Sequence, residues 1–163
     1  EISLGLVGSE MCIRDRNMPD AISEPMGCYC LGYLWNRGDE VGDATDPNTG
    51  RKIEFKATSR FEGDLSSFGP KCVFDDLVFL RFKLDENLLY IYDLNINSEE
   101  FGKYPANKTQ TIQEQKNQGR RPHVSLQTLF VDANNLEPDI IFDIRRCKAY
   151  NRVSEYYQRL IGK

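Results

Sequence analysis

"GDATDPNTGRKIEFKAT", residues 42–58, decides how this chain is read. Residues 46–50, Asp-Pro-Asn-Thr-Gly, are a turn signal between two extended segments, 41–45 and 51–58. Strand side chains alternate between faces, so Glu54 and Lys56 share one face while Ile53 and Phe55 share the other. The second face would meet a core. Before this hairpin, residues 20–35, "DAISEPMGCYCLGYLW", space their apolar positions as a helix does, with Ser23 as its cap and Pro25 in its first turn. After it, "RFEGDLSSFGPK" reads as a loop. "DLVFLRFKL" and "NLLYIYDLNI" are strong strands joined by a tight turn at Asp85-Glu86-Asn87. A short helix is predicted over residues 111–118, closed by Gly119, and Ser125 reads as the cap of another over "LQTLFVDANNL". "PDIIFDIRR" follows as a strand and "RVSEYYQRLIG" as a C-terminal amphipathic helix. The order predicts an α/β domain, a mixed sheet with flanking helices.

Composition bounds what such a domain can be. At 163 residues, 40% hydrophobic and 11% aromatic, the chain can bury one core. No apolar run approaches the roughly 18 residues that a membrane span needs, so no membrane partner is expected. The net charge of −4 gives no sign of nucleic-acid binding, so any such surface must be local. Five cysteines at irregular spacings, with Cys28-Tyr29-Cys30 a C-x-C, read as free thiols in a reducing compartment rather than as zinc ligands. His123 is the sole histidine, so no Ser-His triad is supported. The opening is of another kind. Residues 6–16, "LVGSEMCIRDR", translate back into codons that resemble a sequencing-library adapter, so residues 1–16 are set aside and residues 17–163 are expected to be a single domain lacking part of its N-terminus.

The chemistry gathers on the hairpin. If the strands pair about their turn, Asp43 comes near Glu54, because paired strands lie about 4.8 Å apart. Two neighbouring carboxylates repel unless a cation sits between them. Hard oxygen ligands suit Mg²⁺, which takes one or two protein carboxylates together with waters and phosphate oxygens. Lys56 beside such an ion can act on a water and offset charge developing on a phosphate. The plain alternative is a solvated hairpin face carrying ordinary charges.

Asp43, ten intervening residues and then Glu54-Phe55-Lys56 on a hairpin, with a helix before and strands after, resembles the PD-(D/E)XK nuclease core. The match departs from that pattern at Gly42, where the motif carries proline. With "SSFGP", the tyrosine-rich strands and "QGRRPHVS" downstream, residues 39–129 resemble a small type II restriction endonuclease, similar to those cutting interrupted GC-rich sites such as GCNGC. The resemblance implies a restriction-endonuclease-like fold over the single domain 17–163 and Mg²⁺-dependent hydrolysis of double-stranded DNA. It also implies metal held by Asp43, Glu54 and the Phe55 carbonyl, and catalysis by Asp43, Glu54 and Lys56. In this superfamily a helical acid often joins the site; here that is Glu24, for which a helix-cap role is the alternative. A palindromic target implies a homodimer, a cognate methyltransferase as functional partner and a prokaryotic cytoplasm. The rival readings are a structure-selective repair nuclease and an inactive sheet-based binding domain.

Two segments are candidates for DNA contact. In "KNQGRRPHVS", Arg120 and Arg121 present the fork that reads guanine in the major groove, and Pro122 holds them extended. Lys116, His123 and the neighbouring amides would add phosphate and base contacts. Just past the catalytic strand, Arg60, Ser66, Ser67 and Lys71 would grip backbone phosphates. The alternative for the first segment is an exposed charged turn.

Overall fold

The structure, a computed structural model, describes residues 18–37 and 41–162. The adapter-like residues 1–16 lie outside the described residues. Helix α1 (Asp20–Leu31) is followed by strands β1 (Leu34–Trp35), β2 (Ala44–Thr45), β3 (Lys52–Thr58), β4 (Ser66–Ser67), β5 (Asp76–Lys83) and β6 (Leu88–Asp93). Then come α2 (Ser98–Gly102), α3 (Ile112–Asn117), β7 (His123–Val124), a π-helical segment (Gln127–Asp132), β8 (Ile140–Asp143), β9 (Lys148–Asn151) and α4 (Glu155–Leu160).

Seven strands form one sheet in the order β1-β2-β3-β5-β6-β8-β9. Its centre is the parallel pair β3–β5, and every other pairing is antiparallel. β5 is buried on both faces, which is why "LVFLRF" reads as a nearly continuous apolar run rather than an alternation. One face packs Ile53, Phe55, Val78 and Leu80 with Cys28 of α1. The other packs Leu77, Phe79 and Tyr90 with Phe101, Ile112, Val124 and Tyr157 from the helices and β7. The alternation of Glu54 and Lys56 with Ile53 and Phe55 therefore separates two layers, as the hairpin pattern requires.

Helix α1 lies close on β3. A Cβ at Gly27 would stand 2.9 Å from the Phe55 ring, so only glycine lets the helix approach this far. The helix is shorter and earlier than its apolar spacing predicts. It ends where Gly32 takes a left-handed conformation and donates to the Cys28 carbonyl at 2.8 Å. Ser23 is not its cap: it is buried inside the helix and its hydroxyl donates to the Pro19 carbonyl at 3.2 Å. Pro25 consequently lies beyond the first turn, and Leu34–Trp35, expected as helix, is an edge strand pairing with β2.

The hairpin is present in a shorter form, with Ala44 opposite Ile53 and Thr45 opposite Lys52. "RFEGDLSSFGPK" is more than a loop, because β4 within it pairs antiparallel with β7. The tight turn before β6 and the helix after Thr111 are found as expected, the latter with a Thr111–Glu114 capping box. Helix α2 and strand β9 were not anticipated.

Candidate active site

Backbone hydrogen bonds build the site before any side chain does. The Asp43 N–H donates to the Ile53 carbonyl at 2.8 Å, and the Asp43 carboxylate accepts the Phe55 N–H at 2.7 Å. Asp43 is thus pinned across the hairpin, with Glu54 between its two anchoring residues. Glu54 is buried and ion-paired to Lys56, whose ammonium also lies 5.2 Å from the centre of the Phe68 ring.

The electrostatics follow from burial and crowding. Desolvation first, and then the Glu54 charge, push Asp43 up to about 7, against the pull of Lys56 and the Phe55 N–H. Burial presses the Lys56 ammonium down, but the Glu54 ion pair and hydrogen bond and the Asp43 charge outweigh it, leaving Lys56 raised and protonated. Glu24, one helix away, is raised by burial despite accepting the Trp35 indole N–H at 2.7 Å, and it feels Lys56 and Glu54. The acid expected from α1 therefore faces the same group of charges. Cys72 is pushed up to about 12 by burial and then by the Glu54 charge. At that value it stays a thiol and is not a nucleophile.

Among the described residues no three or more His, Cys, Asp or Glu side chains gather into a metal cage. What the hairpin offers is a half-buried Asp43 beside a buried Glu54, where desolvation first and the Glu54 charge second hold a proton on Asp43 near neutrality. That donor set fits a hard divalent cation completing its shell with waters and phosphate oxygens, and fits a soft or four-ligand metal poorly.

A mostly polar cavity of about 190 Å³ opens beside this pair, lined by Asp20, Phe55, Lys56, Ser66, Ser67 and Arg121 among others. Comparison with known sequences shows the family of the chain. The profile of the Bsp6I restriction endonuclease family matches residues 6–133. The type II restriction enzyme Bsp6I of Bacillus sp. (strain RFL6) is 42% identical over 135 residues, covering 83% of this chain and 77% of that protein. The chain belongs to the Bsp6I restriction endonuclease family. No solved structure matches it.

For a member of the Bsp6I family, the placement of the basic residues matters most. The two candidate segments, some 55 residues apart, meet: Ser66 pairs with Val124, Ser67 with His123, and the Phe68 N–H donates to the Pro122 carbonyl at 3.1 Å. Arg120, Arg121 and His123 are exposed there, and Arg60 and Lys71 are exposed on the flanking turns. Ser66 is buried and donates to Asp64 at 2.8 Å, whereas Ser67 is half-buried at the cavity. Lys116 departs from expectation. It is buried, and its ammonium donates to the Cys72 carbonyl at 2.6 Å, so it is not offered to phosphate. A helix this short turns one side inward, and Lys116 lies on the same side as Ile112, four residues before it.

Asp64 was missed. Its carboxylate accepts Ser66 Oγ and Ser125 Oγ, both at 2.8 Å, and the N–H groups of Leu126 and Gln127, both at 3.0 Å. It therefore caps the π-helical segment from some 60 residues away and clamps β4 to β7. Ser125 also caps that segment, as expected, accepting the Thr128 N–H at 3.1 Å. Nothing local in "EGD" signals this role. A long-range cap has no sequence spacing to betray it.

Proposed function

We propose that the chain is an Mg²⁺-dependent type II restriction endonuclease of PD-(D/E)XK type that hydrolyses double-stranded DNA at a short GC-rich site of the GCNGC kind. Membership of the Bsp6I family supports the activity. The observation that carries the mechanism is half-buried Asp43 beside buried Glu54, with Lys56 two residues along the same strand face. In this reading Asp43, Glu54 and the Phe55 carbonyl hold the metal. Bound there, Mg²⁺ supplies Lewis acidity toward the scissile phosphate and its attacking water.

The chain's own residues do the rest. Lys56, kept as an ammonium, orients the attacking water and offsets charge on the pentavalent phosphorus. Phe55 anchors the strand in the core under α1, so the charged groups above it are fixed before substrate arrives. Glu24 adds a third carboxylate to the same field, itself oriented by the Trp35 indole. Water attack and loss of the 3′ oxygen leave 5′-phosphate ends. Two such subunits, one per strand, would cut a two-fold symmetric site, and a methyltransferase in the bacterial cytoplasm would protect host DNA.

Plasmid digestion tests the reading. With Mg²⁺ the wild-type protein gives discrete fragments, and Lys56→Ala gives none while still binding the site. A wild-type protein that shows no Mg²⁺-dependent cutting overturns it. A smear in place of fragments would leave the nuclease but remove the site specificity.

A further inference from the structure

The two adjacent arginines, equivalent in sequence, are separated by the fold. Arg121 lines the cavity that holds Lys56, and Arg120 does not. Several anchors enforce this. Gly119 takes a left-handed conformation and donates to Lys116 at 2.9 Å, and the Arg120 N–H donates to Gln115 at 3.0 Å. On the other side Pro122 is buried, with its carbonyl taken by Phe68, and β7 is laddered onto β4. A Cβ at Gly69 would stand 4.0 Å from an Arg121 guanidinium nitrogen, so the turn after β4 walls that side chain with bare backbone.

The charges in this cavity are not equivalent either. Lys56 is committed to Glu54. Among the described residues no carboxylate lies within ion-pair distance of Arg121; Asp20, at the start of α1, lines the cavity beyond that reach. A guanidinium left free beside a half-buried serine, facing an ammonium across a small polar cavity, is built for an anion with oxygens on two sides.

We propose that Arg121 is a catalytic residue that grips the non-bridging oxygens of the scissile phosphate, with Ser67 beside it, and that base reading is left to exposed residues outside the cavity, Arg120 among them. This rests on the nuclease reading above. Arg121 neither gives nor takes a proton: water adds to phosphorus, the P–O3′ bond breaks, and the guanidinium stabilises the charge on the equatorial oxygens throughout. The β4–β7 ladder makes this clamp continuous with the segment carrying Arg120.

The test uses the full chain, and duplexes carrying either a normal phosphate or a single neutral methylphosphonate at the cleaved position. Arg121→Ala is expected to lower single-turnover cleavage by about 10²- to 10³-fold, while the ratio of cognate to one-base-changed cleavage stays as in wild type. Arg121→Lys recovers little, because a point charge replaces the fork. Wild type and Arg120→Ala lose about 10- to 100-fold in affinity for the methylphosphonate duplex, the scale of one charged hydrogen bond, and Arg121→Ala loses clearly less, the remainder being the share of Lys56. Unchanged melting temperatures exclude misfolding as the cause; if Arg121→Ala melts early, Arg121→Lys carries the comparison. Equal methylphosphonate penalties in wild type and Arg121→Ala, or lost base discrimination in Arg121→Ala, overturn the proposal. A wild-type protein that cuts nothing instead sinks the nuclease reading, and the binding comparison still decides whether Arg121 meets that phosphate.

Discussion

The Asp43 carboxylate accepts the Phe55 N–H at 2.7 Å, one residue beyond the Glu54 whose charge it opposes. The fold thus takes Asp43 out of water and sets it beside a like charge, and the proton is where both effects appear. Asp43 holds it up to about 7, against an ordinary 3.8. The folded state therefore binds this proton more tightly than the unfolded state. Its stabilising contribution is complete below about pH 4 and is lost as pH rises through 7. Melting in EDTA should fall across that interval, and Asp43→Asn should flatten part of the fall. Asp76, pushed up to about 6 by burial and then by Asp93, and Glu24, raised by burial, contribute to the remainder. At pH 8, Mg²⁺ should raise the melting temperature of the wild type and not that of Asp43→Asn. Equal pH slopes for the two proteins would show that Asp43 is ionised throughout.

Gly42 stands where the motif carries proline, and the fold explains the departure. Its φ is +75°, which proline cannot adopt, and a Cβ there would lie 2.9 Å from the Ile53 carbonyl oxygen. Restoring the motif should therefore harm the protein. Gly42→Ala is expected to cost about 1–3 kcal/mol and Gly42→Pro more, measured as urea midpoints at constant slope. Cleavage should fall with them, since this residue delivers Asp43 to Phe55. A Gly42→Pro variant as stable and active as wild type would contradict the left-handed turn.

The hairpin was legible because it is local: a five-residue turn signal, strict alternation and three chemically distinct side chains within fourteen residues. Glu24 came by resemblance, and its placement near Lys56 follows from α1 packing on Phe55, which Gly27 permits. What was not legible is long-range. Asp64 capping Leu126, Ser66 facing Val124 and Lys116 turned inward to Cys72 depend on which segments meet, and no periodicity encodes that. Ser23 misled for the converse reason. Its hydroxyl satisfies a carbonyl one turn back, an option open to any helical serine, so a serine ahead of an acidic residue does not by itself mark a helix start.

Arg81 is a cation inside the sheet. It is 5% exposed, donates to the Tyr92 hydroxyl at 3.1 Å and to the Phe61 carbonyl, and lies 4.2 Å from the Phe61 ring centre. Its Nε has no partner, and no carboxylate pairs with it among the described residues. The guanidinium is held by a carbonyl, a hydroxyl and ring faces, which anchors the segment leading to Asp64. Lysine would keep the buried charge and lose the fork. Arg81→Lys should therefore destabilise by roughly 2–3 kcal/mol, and by more than Arg81→Met, which removes the charge. Chemical denaturation of both variants decides it. The reverse order would mean that an anion compensates Arg81.

Lys116 gives the sharpest contrast between a cation that binds DNA and one that binds the protein. A residue neutralising a phosphate releases counterions, and its loss reduces the slope of log affinity against log salt by about one unit. Lys116 instead donates to the Cys72 carbonyl, and the Cys72 side chain lies in the field of Glu54 and Lys56, so it supports the site from beneath. Lys116→Met, which preserves the apolar stem, should leave the salt slope unchanged. It should cost about 1–3 kcal/mol of stability through the abandoned carbonyl and lower the cleavage rate more than the affinity. Lys71→Ala, at an exposed residue expected to grip phosphate, should do the opposite, reducing affinity and the salt dependence with little effect on melting. Binding isotherms at several salt concentrations, with thermal melts of the same samples, separate the two. A shallower salt slope for Lys116→Met would place its ammonium on the DNA.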